Sequence, residues 1–126
     1  MIFVDTNYFL RFLFDDGSPQ HEKASSLFLE AARGEKDLIT STLVIFEIFW
    51  VLESYYKLKK IQKINIIQNI LDMVFVQLEE RSILQNSLER YRKRSLELED
   101  CYNISFSIKN DIKDFATFDK KVKKLL

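Results

Sequence analysis

Cysteine is nearly absent from the 126-residue sequence, which contains only Cys101. No disulfide can form within the chain, and a reducing compartment is the natural setting for such a protein. No apolar run approaches the ~20 residues that a membrane-spanning helix needs, and the first residues do not follow the pattern of a signal peptide. We therefore expect a cytoplasmic protein with no membrane partner.

Glycine, proline and net charge are scarce as well. With two Gly and one Pro, the sequence has little of the turn chemistry that β-hairpins require, which favours helices joined by short loops. Lys+Arg and Asp+Glu are equal at 19 each, so the net charge gives no support for a nucleic-acid partner, although it leaves a local basic patch open. The 47% hydrophobic share predicts a folded core, and the length fits a single domain over residues 1–126.

Four short apolar runs alternate with helical segments along the chain. The runs are predicted strands, at Ile2-Phe3-Val4, Leu38-Ile39-Thr40, Val74-Phe75-Val76 and Phe115-Ala116-Thr117. Helices are predicted over about 9–13, 19–33, 42–56, 60–73, 81–94 and 100–110, with a short Lys-rich helix at the end. Strands that alternate with helices indicate an α/β protein whose parallel sheet is covered on both faces, and such sheets bind ligands beyond the carboxyl ends of their strands.

Carboxylates lie at that end of the predicted sheet. Asp5 directly follows the first strand, and Asp119 closely follows the fourth. Glu47 interrupts an apolar run in the helix after the second strand, and Asp100 lies near the start of a later helix. Four carboxylates in one cleft would repel one another without bound cations or protonation. Oxygen-only ligation favours hard divalent ions such as Mg²⁺ or Mn²⁺, and the sequence shows no Cys/His cluster for a structural zinc site.

Four short blocks that contain these acids resemble the motifs of the PIN-domain family. The blocks are Val4-Asp5-Thr6-Asn7, Ser41-Thr42-Leu43-Val44-Ile45-Phe46-Glu47, Glu99-Asp100-Cys101-Tyr102 and Ala116-Thr117-Phe118-Asp119-Lys120-Lys121. Their order, their spacing and the total length agree with the family, so the resemblance spans nearly the whole chain. Each block alone is a weak signal, and the four in order are fairly specific.

The resemblance implies a three-layer α/β/α sandwich with a central parallel sheet of four or five strands. It also implies a metal-dependent endoribonuclease. The ligands of its Mg²⁺ or Mn²⁺, direct or through water, would be Asp5, Glu47, Asp100 and Asp119. By the same resemblance Thr6 and Thr117 would hydrogen-bond the ligands or a water. Asn7 would hold the loop through bonds from its side chain to the backbone.

Single-domain members of this size are commonly VapC-type toxins of type II toxin–antitoxin pairs. The resemblance therefore implies an RNA substrate, a small antitoxin protein as partner and a homodimer as a candidate assembly. Two departures from the family pattern stand out. The third block continues as Cys101-Tyr102-Asn103-Ile104-Ser105, where the family has small apolar residues. Members also often carry a final edge strand, and no segment for one is seen after Lys124.

Other interpretations stay open at this point. A weakened site would make the chain a PIN-like RNA-binding or protein-interaction module, which the presence of all four acids disfavours. A phosphatase of the haloacid dehalogenase type needs a second Asp where this sequence has Asn7, and a response-regulator receiver needs an acidic pair that is missing. Asp100 and Asp119 could also be plain helix caps. The lysines between 109 and 124 could form either a solvated helix face or a phosphate-steering patch.

Overall fold

The computed structural model describes residues 1–125, in which each of three strands is followed by two or three of the seven helices. The strands are β1 (Ile2–Phe3), β2 (Leu38–Thr40) and β3 (Val76–Leu78). The helices are α1 (Thr6–Leu13), α2 (Pro19–Ala32), α3 (Thr42–Ser54), α4 (Lys60–Leu71), α5 (Arg81–Lys93), α6 (Leu98–Lys109) and α7 (Lys120–Lys123). Across the described residues, none of the helices combines the length and apolar character needed to cross a membrane.

Capping chemistry sets where two of the longer helices begin. The Ser18 hydroxyl accepts a hydrogen bond from the His21 N–H at 3.2 Å, and Pro19 occupies the first helical position of α2. The Ser41 hydroxyl accepts a bond from the Val44 N–H at 3.3 Å at the start of α3. Such caps satisfy N–H groups that have no partner inside the helix. The predicted starts of both helices are therefore confirmed.

The three strands form one parallel sheet in the order β1-β2-β3. The α/β class and the parallel sheet are thus confirmed, whereas the three-layer arrangement stays a prediction. β3 begins two residues later than its predicted position at 74–76. The reason is a tight turn after α4, in which the Val76 N–H donates to the Met73 carbonyl at 3.0 Å. The carboxyl end of β3 therefore leads directly into Glu79 and Glu80.

The predicted fourth strand at 115–117 is not confirmed, and neither is a fifth, because residues 1–125 contain only β1, β2 and β3. The Thr117 hydroxyl accepts a hydrogen bond from the Asp119 N–H at 3.0 Å, so the end of this segment is fixed in a local turn. With no strand on its outer side, β1 is an edge strand. Its Phe3 is 56% exposed, although the sequence suggested a buried strand.

The core is built round α3, whose Ile45, Ile48, Phe49 and Leu52 are fully buried. Helices α1 and α4 pack against α3, and α5 packs along α6. Glu47 belongs to the same helix but is only half-buried. The one acidic residue in this apolar run therefore lies at the margin of the core.

Arg81 ties the end of α4 to β3. Its Nε donates to the Leu71 carbonyl at 3.0 Å, and its Nη2 donates to the carbonyls of Met73 at 3.0 Å and Val76 at 2.7 Å. The last carbonyls of a helix have no partner within it, and a guanidinium can satisfy several acceptors at once because of its planar fork of donors. This single side chain thereby fixes the turn that precedes β3.

Candidate active site

Asp5 follows β1 and caps α1. Its Oδ1 accepts a hydrogen bond from the Asn7 backbone N–H at 2.8 Å, whereas its Oδ2 has no hydrogen-bond partner among residues 1–125. At the end of β2, the buried Thr40 hydroxyl donates to the Val4 carbonyl at 2.8 Å. This bond fixes the backbone immediately before Asp5. The carboxylate is therefore held in place through one oxygen while the other stays available.

Of the two supporting residues beside Asp5, Asn7 contributes to the loop in a different way from the one predicted. Asn7 contributes its backbone N–H to the loop, and the described part of the chain contains no hydrogen bond from its side chain. A backbone donor suffices here because Asp5 itself supplies the capping oxygen. Thr6 is the first residue of α1 and is half-buried. Its role toward a ligand or a water stays a prediction.

Asp119 caps α7 in a similar way. Its Oδ1 accepts hydrogen bonds from the backbone N–H groups of Lys121 at 2.8 Å and Val122 at 3.4 Å. The Thr117 hydroxyl accepts from the Asp119 N–H and so lies against the backbone of this residue. As in Asp5, the second carboxylate oxygen has no partner in the described structure. Both aspartates therefore stabilise a helix start and retain one uncommitted oxygen.

Glu47 lies near the middle of α3. On an α-helix, residues three and four positions apart share a face, so Trp50 and Val51 flank the Glu47 side chain. Trp50 Nε1–H donates to Oε1 of Glu99 in α6 at 2.7 Å, while Val51 lines a cavity together with Asn7 of α1. Glu47 is half-buried, and no hydrogen bond or ion pair of its carboxylate is found in residues 1–125. Its two neighbours on the helix face therefore contact α6 in one case and line a cavity with α1 in the other.

Asp100 is the third residue of α6 and is half-buried. The helix begins at Leu98, two residues before its predicted start. A carboxylate in the first turn interacts favourably with the helix dipole, so Asp100 also has a structural explanation. Burial, followed by the negative charge of Asp100, raises the pKa of the neighbouring Cys101 thiol to about 11. The thiol therefore stays protonated near neutral pH, as expected for an inert side chain.

The four carboxylates are not gathered round one point. Among residues 1–125, no three His, Cys, Asp or Glu side chains lie close enough to hold a single metal ion. The type of donor nevertheless fits Mg²⁺ or Mn²⁺, because all four groups are hard oxygen ligands and each has at least one oxygen without a hydrogen-bond partner among residues 1–125. Mg²⁺ usually keeps several of its waters, so ligation partly through water suits carboxylates that do not converge.

Glu80 forms a hydrogen-bonded cluster at the carboxyl end of the sheet that the sequence analysis did not identify. It follows β3, and its Oε1 accepts from the Thr42 hydroxyl at 2.5 Å. The Tyr102 hydroxyl donates to the same carboxylate, at 2.8 Å to Oε1 and 3.0 Å to Oε2. Burial, followed by the bond to Glu80, raises the pKa of Tyr102 to about 12, so its hydroxyl is a donor at neutral pH. This cluster joins the end of β3 to the start of α3 and to α6, the helices that carry Glu47 and Asp100.

Tyr102→Phe tests whether this cluster holds α6 in place. We expect the free energy of unfolding to fall by about 1 kcal/mol, because the variant loses a hydrogen bond to a charged group that is partly accessible to water. Chemical denaturation at neutral pH measures the change. Tyr55→Phe is the matched control, since Tyr55 is 76% exposed and should leave stability unchanged. Equal effects of the two substitutions would contradict a specific role for Tyr102.

Cys101 offers an independent check on the packing of α6. Its side chain is 0% exposed, so a thiol-specific reagent can reach it only after the helix opens. At pH 8 we expect labelling at least about 100-fold slower than in denaturant, which corresponds to an opening free energy of about 3 kcal/mol. Since the chain has a single cysteine, the reaction reports on this position alone. Labelling of the native protein at the denatured rate would show that α6 is not packed as described.

Comparisons with known proteins bear on the family. The sequence model of the PIN domain matches residues 2–125. The chain belongs to the PIN domain family. A VapC ribonuclease of Aquifex aeolicus (strain VF5) is 29% identical to it over 129 residues, which cover 99% of this chain and 92% of that protein. The resemblance that the four blocks suggested is therefore confirmed, and the PIN-domain match includes all four blocks.

Proposed function

We propose that this PIN-domain protein is a Mg²⁺- or Mn²⁺-dependent endoribonuclease that hydrolyses RNA phosphodiester bonds. The observation that carries the proposal is that the four motif acids are present and have carboxylate oxygens free of hydrogen bonds within residues 1–125. In this part of the chain, one oxygen each of Asp5 and Asp119 accepts hydrogen bonds, and the carboxylates of Glu47 and Asp100 accept none. The PIN-domain match over residues 2–125 supports one PIN-like domain for the whole chain. The 29% identity to a VapC ribonuclease supports RNA as the substrate.

Asp5, Glu47, Asp100 and Asp119 would hold the metal ion, directly or through water. A divalent ion bound there lowers the pKa of a water and stabilises negative charge on the phosphodiester and its leaving group. Within the protein, the caps of α1 and α7 orient Asp5 and Asp119, because their engaged oxygens fix each carboxylate rotamer. The bonds from Thr40 to the Val4 carbonyl and from the Asp119 N–H to Thr117 hold the backbone on which these two side chains are mounted.

We also propose that the protein is the toxin of a type II toxin–antitoxin pair, inhibited by a small antitoxin, and that it forms a homodimer. The similarity to a VapC ribonuclease supports the toxin role. Co-expression with the product of a neighbouring small gene tests it: relief of growth arrest and co-purification are expected. Growth that is unaffected by expression of this chain alone would contradict a toxin.

Cleavage of single-stranded RNA by the purified protein tests the enzymatic proposal. We expect cutting with Mg²⁺ or Mn²⁺, and no cutting with EDTA. Glu47→Gln should abolish it, whereas Glu53→Gln is a matched control on the same helix, since Glu53 is exposed and lies 3.4 Å from Lys63. Cutting that survives both chelation and Glu47→Gln would contradict the metal mechanism.

One observation favours a second function, that of a PIN-like RNA-binding or protein-interaction module with a weakened site. The described residues bring no three potential ligands within reach of one ion. A module of this kind would bind RNA or protein without cutting RNA under any metal condition. The same cleavage assay therefore separates the two functions, with binding measured in parallel.

A further inference from the structure

The basic residues of this neutral chain are concentrated in three short segments. Twelve of the 19 Lys and Arg residues lie in 57–63, 90–94 and 120–124, and these segments contain no Asp or Glu. They belong to the starts of α4 and α7 and to the end of α5. A protein without net charge therefore has strongly basic segments, and the contacts of two lysine side chains bring all three segments together.

Two lysines from different helices meet on the turn between α5 and α6. The Lys60 ammonium donates to the Arg94 carbonyl at 2.9 Å and lies 4.5 Å from the centre of the Tyr91 ring. The Lys121 ammonium donates to the next carbonyl, that of Ser95, at 3.4 Å. Lys60, Arg94 and Lys121 form what we call the basic strip. Consecutive carbonyls are close together, so the two ammonium groups lie within about one Debye length of each other, and Arg94 belongs to the same turn.

The neighbouring acids do not neutralise the basic strip. Glu89 lies 3.4 Å from Arg92 and 3.3 Å from Lys93, and Glu97 is exposed at the start of α6. Among residues 1–125, no carboxylate lies within 4 Å of the charged groups of the basic strip. The dipole of α5 favours basic residues at its own end, which explains Arg92 and Lys93. It does not explain why α4 and α7 each bring a lysine to the same turn.

The basic strip adjoins the proposed active site. Lys121 is two residues after Asp119, whose carboxylate accepts the Lys121 N–H. The turn that receives both lysines leads into α6, whose third residue is Asp100. A polyanion bound along the basic strip would therefore reach two of the four proposed metal ligands.

We propose that Lys60, Arg94 and Lys121 bind the phosphate backbone of single-stranded RNA and lead it to Asp100 and Asp119. This inference rests on the proposed function for the nature of the polyanion. Lysine and arginine contacts to phosphates supply affinity without base preference. The binding is therefore independent of sequence and strongly dependent on salt, with a contribution of about −0.7 per phosphate contact to the slope of log K against log salt.

Fluorescence anisotropy of a labelled short single-stranded RNA, measured in EDTA over a range of salt concentrations, tests the proposal. Arg94→Gln with Lys121→Gln should reduce the steepness of the salt slope by about 1.4 and weaken binding by roughly 25-fold at 0.1 M salt, since two phosphate contacts are lost. The matched control is Arg33→Gln with Lys36→Gln, which removes the same charges from exposed positions after α2. The control should retain wild-type affinity and slope, and far-UV circular dichroism checks that both variants are folded.

Three results would overturn the basic strip as an RNA site. One is an unchanged affinity and slope for Arg94→Gln with Lys121→Gln. Another is an equal loss in the matched control. The third is loss of binding to vesicles that contain phosphatidylserine, with RNA binding intact. RNA that binds through the basic strip but stays uncut with Mn²⁺ would support this site and contradict the proposed nuclease. If Arg94→Gln with Lys121→Gln bound RNA as tightly as the wild type and cut it at the wild-type rate, the nuclease would be supported and the basic strip contradicted.

Discussion

Asp5→Asn is expected to lower Mn²⁺-dependent RNA cleavage by about 100-fold or more, because it removes a charged ligand from the proposed metal site. The substitution removes the charge of Asp5 and keeps its helix cap. Asp5 caps α1 through Oδ1, and Asn is as good an N-cap as Asp. The free energy of unfolding should therefore change by less than about 0.5 kcal/mol. Initial cleavage rates, measured beside denaturation curves, give both quantities from one preparation.

Asp15→Asn is the matched control for this experiment. Its Oδ1 accepts from the N–H two residues later, that of Gly17, at 2.9 Å, as Asp5 does from Asn7. Asp15 has no place in the four motif blocks, so its variant should cut RNA at the wild-type rate. Equal activity of Asp5→Asn and the wild type would remove Asp5 from the chemistry. A large loss of stability in Asp5→Asn would mean that its activity cannot be attributed to the lost charge.

The largest effect on stability is expected from Arg81→Met. The variant loses three hydrogen bonds to backbone carbonyls and leaves those partly buried acceptors without a partner. We expect the free energy of unfolding to fall by about 3 kcal/mol. Urea denaturation measures this fall as a lower midpoint with an unchanged slope.

Arg92→Met is the control for Arg81→Met. Arg92 lies on the same helix, and its side chain is 40% exposed. Among residues 1–125, its one ion pair is with Glu89, at 3.4 Å. Exposed pairs contribute little, so the change should stay within about 0.5 kcal/mol. If the two variants lost the same free energy, the turn before β3 would not depend on the Arg81 guanidinium.

Local chemistry made much of the fold predictable. Ser18 with Pro19, and Ser41, mark the helix starts at which the structure has them, since a capping hydroxyl acts within its own turn. The parallel sheet followed from the alternation of strands and helices. The fourth strand is not confirmed among residues 1–125. Strand pairing depends on a partner elsewhere in the chain, which local sequence does not show, and the Thr117 hydroxyl accepts a local bond from the Asp119 N–H instead.

The motifs predicted four candidate ligands, and their role in one metal site stays a prediction. The contacts around these residues could not be predicted from the motifs. Glu80 was missed because β3 was placed two residues too early, which hid the carboxyl end of that strand. Applied to the observed strand, the rule that ligands lie beyond strand ends would have identified it. The sequence pattern does not predict contacts between helices that are distant along the chain. The structure was needed to show that Lys60 and Lys121 bind the same turn.

The capping roles of Asp5 and Asp119 sharpen what the motifs alone suggest. An aspartate at a helix start is first of all a structural residue, so its presence alone is weak support for a metal site. Glu47 is more informative because it stabilises no helix start and has no partner in residues 1–125. A bound cation would give this half-buried carboxylate a partner of opposite charge.

Isothermal titration with Mn²⁺ is the most direct test of the claim that these acids form one divalent-ion site. The wild type should bind Mn²⁺, and Glu47→Gln should weaken the affinity by at least about tenfold. Glu53→Gln on the same helix should bind as the wild type does. Affinity that is the same in Glu47→Gln and the wild type, or no binding by the wild type at all, would contradict the account.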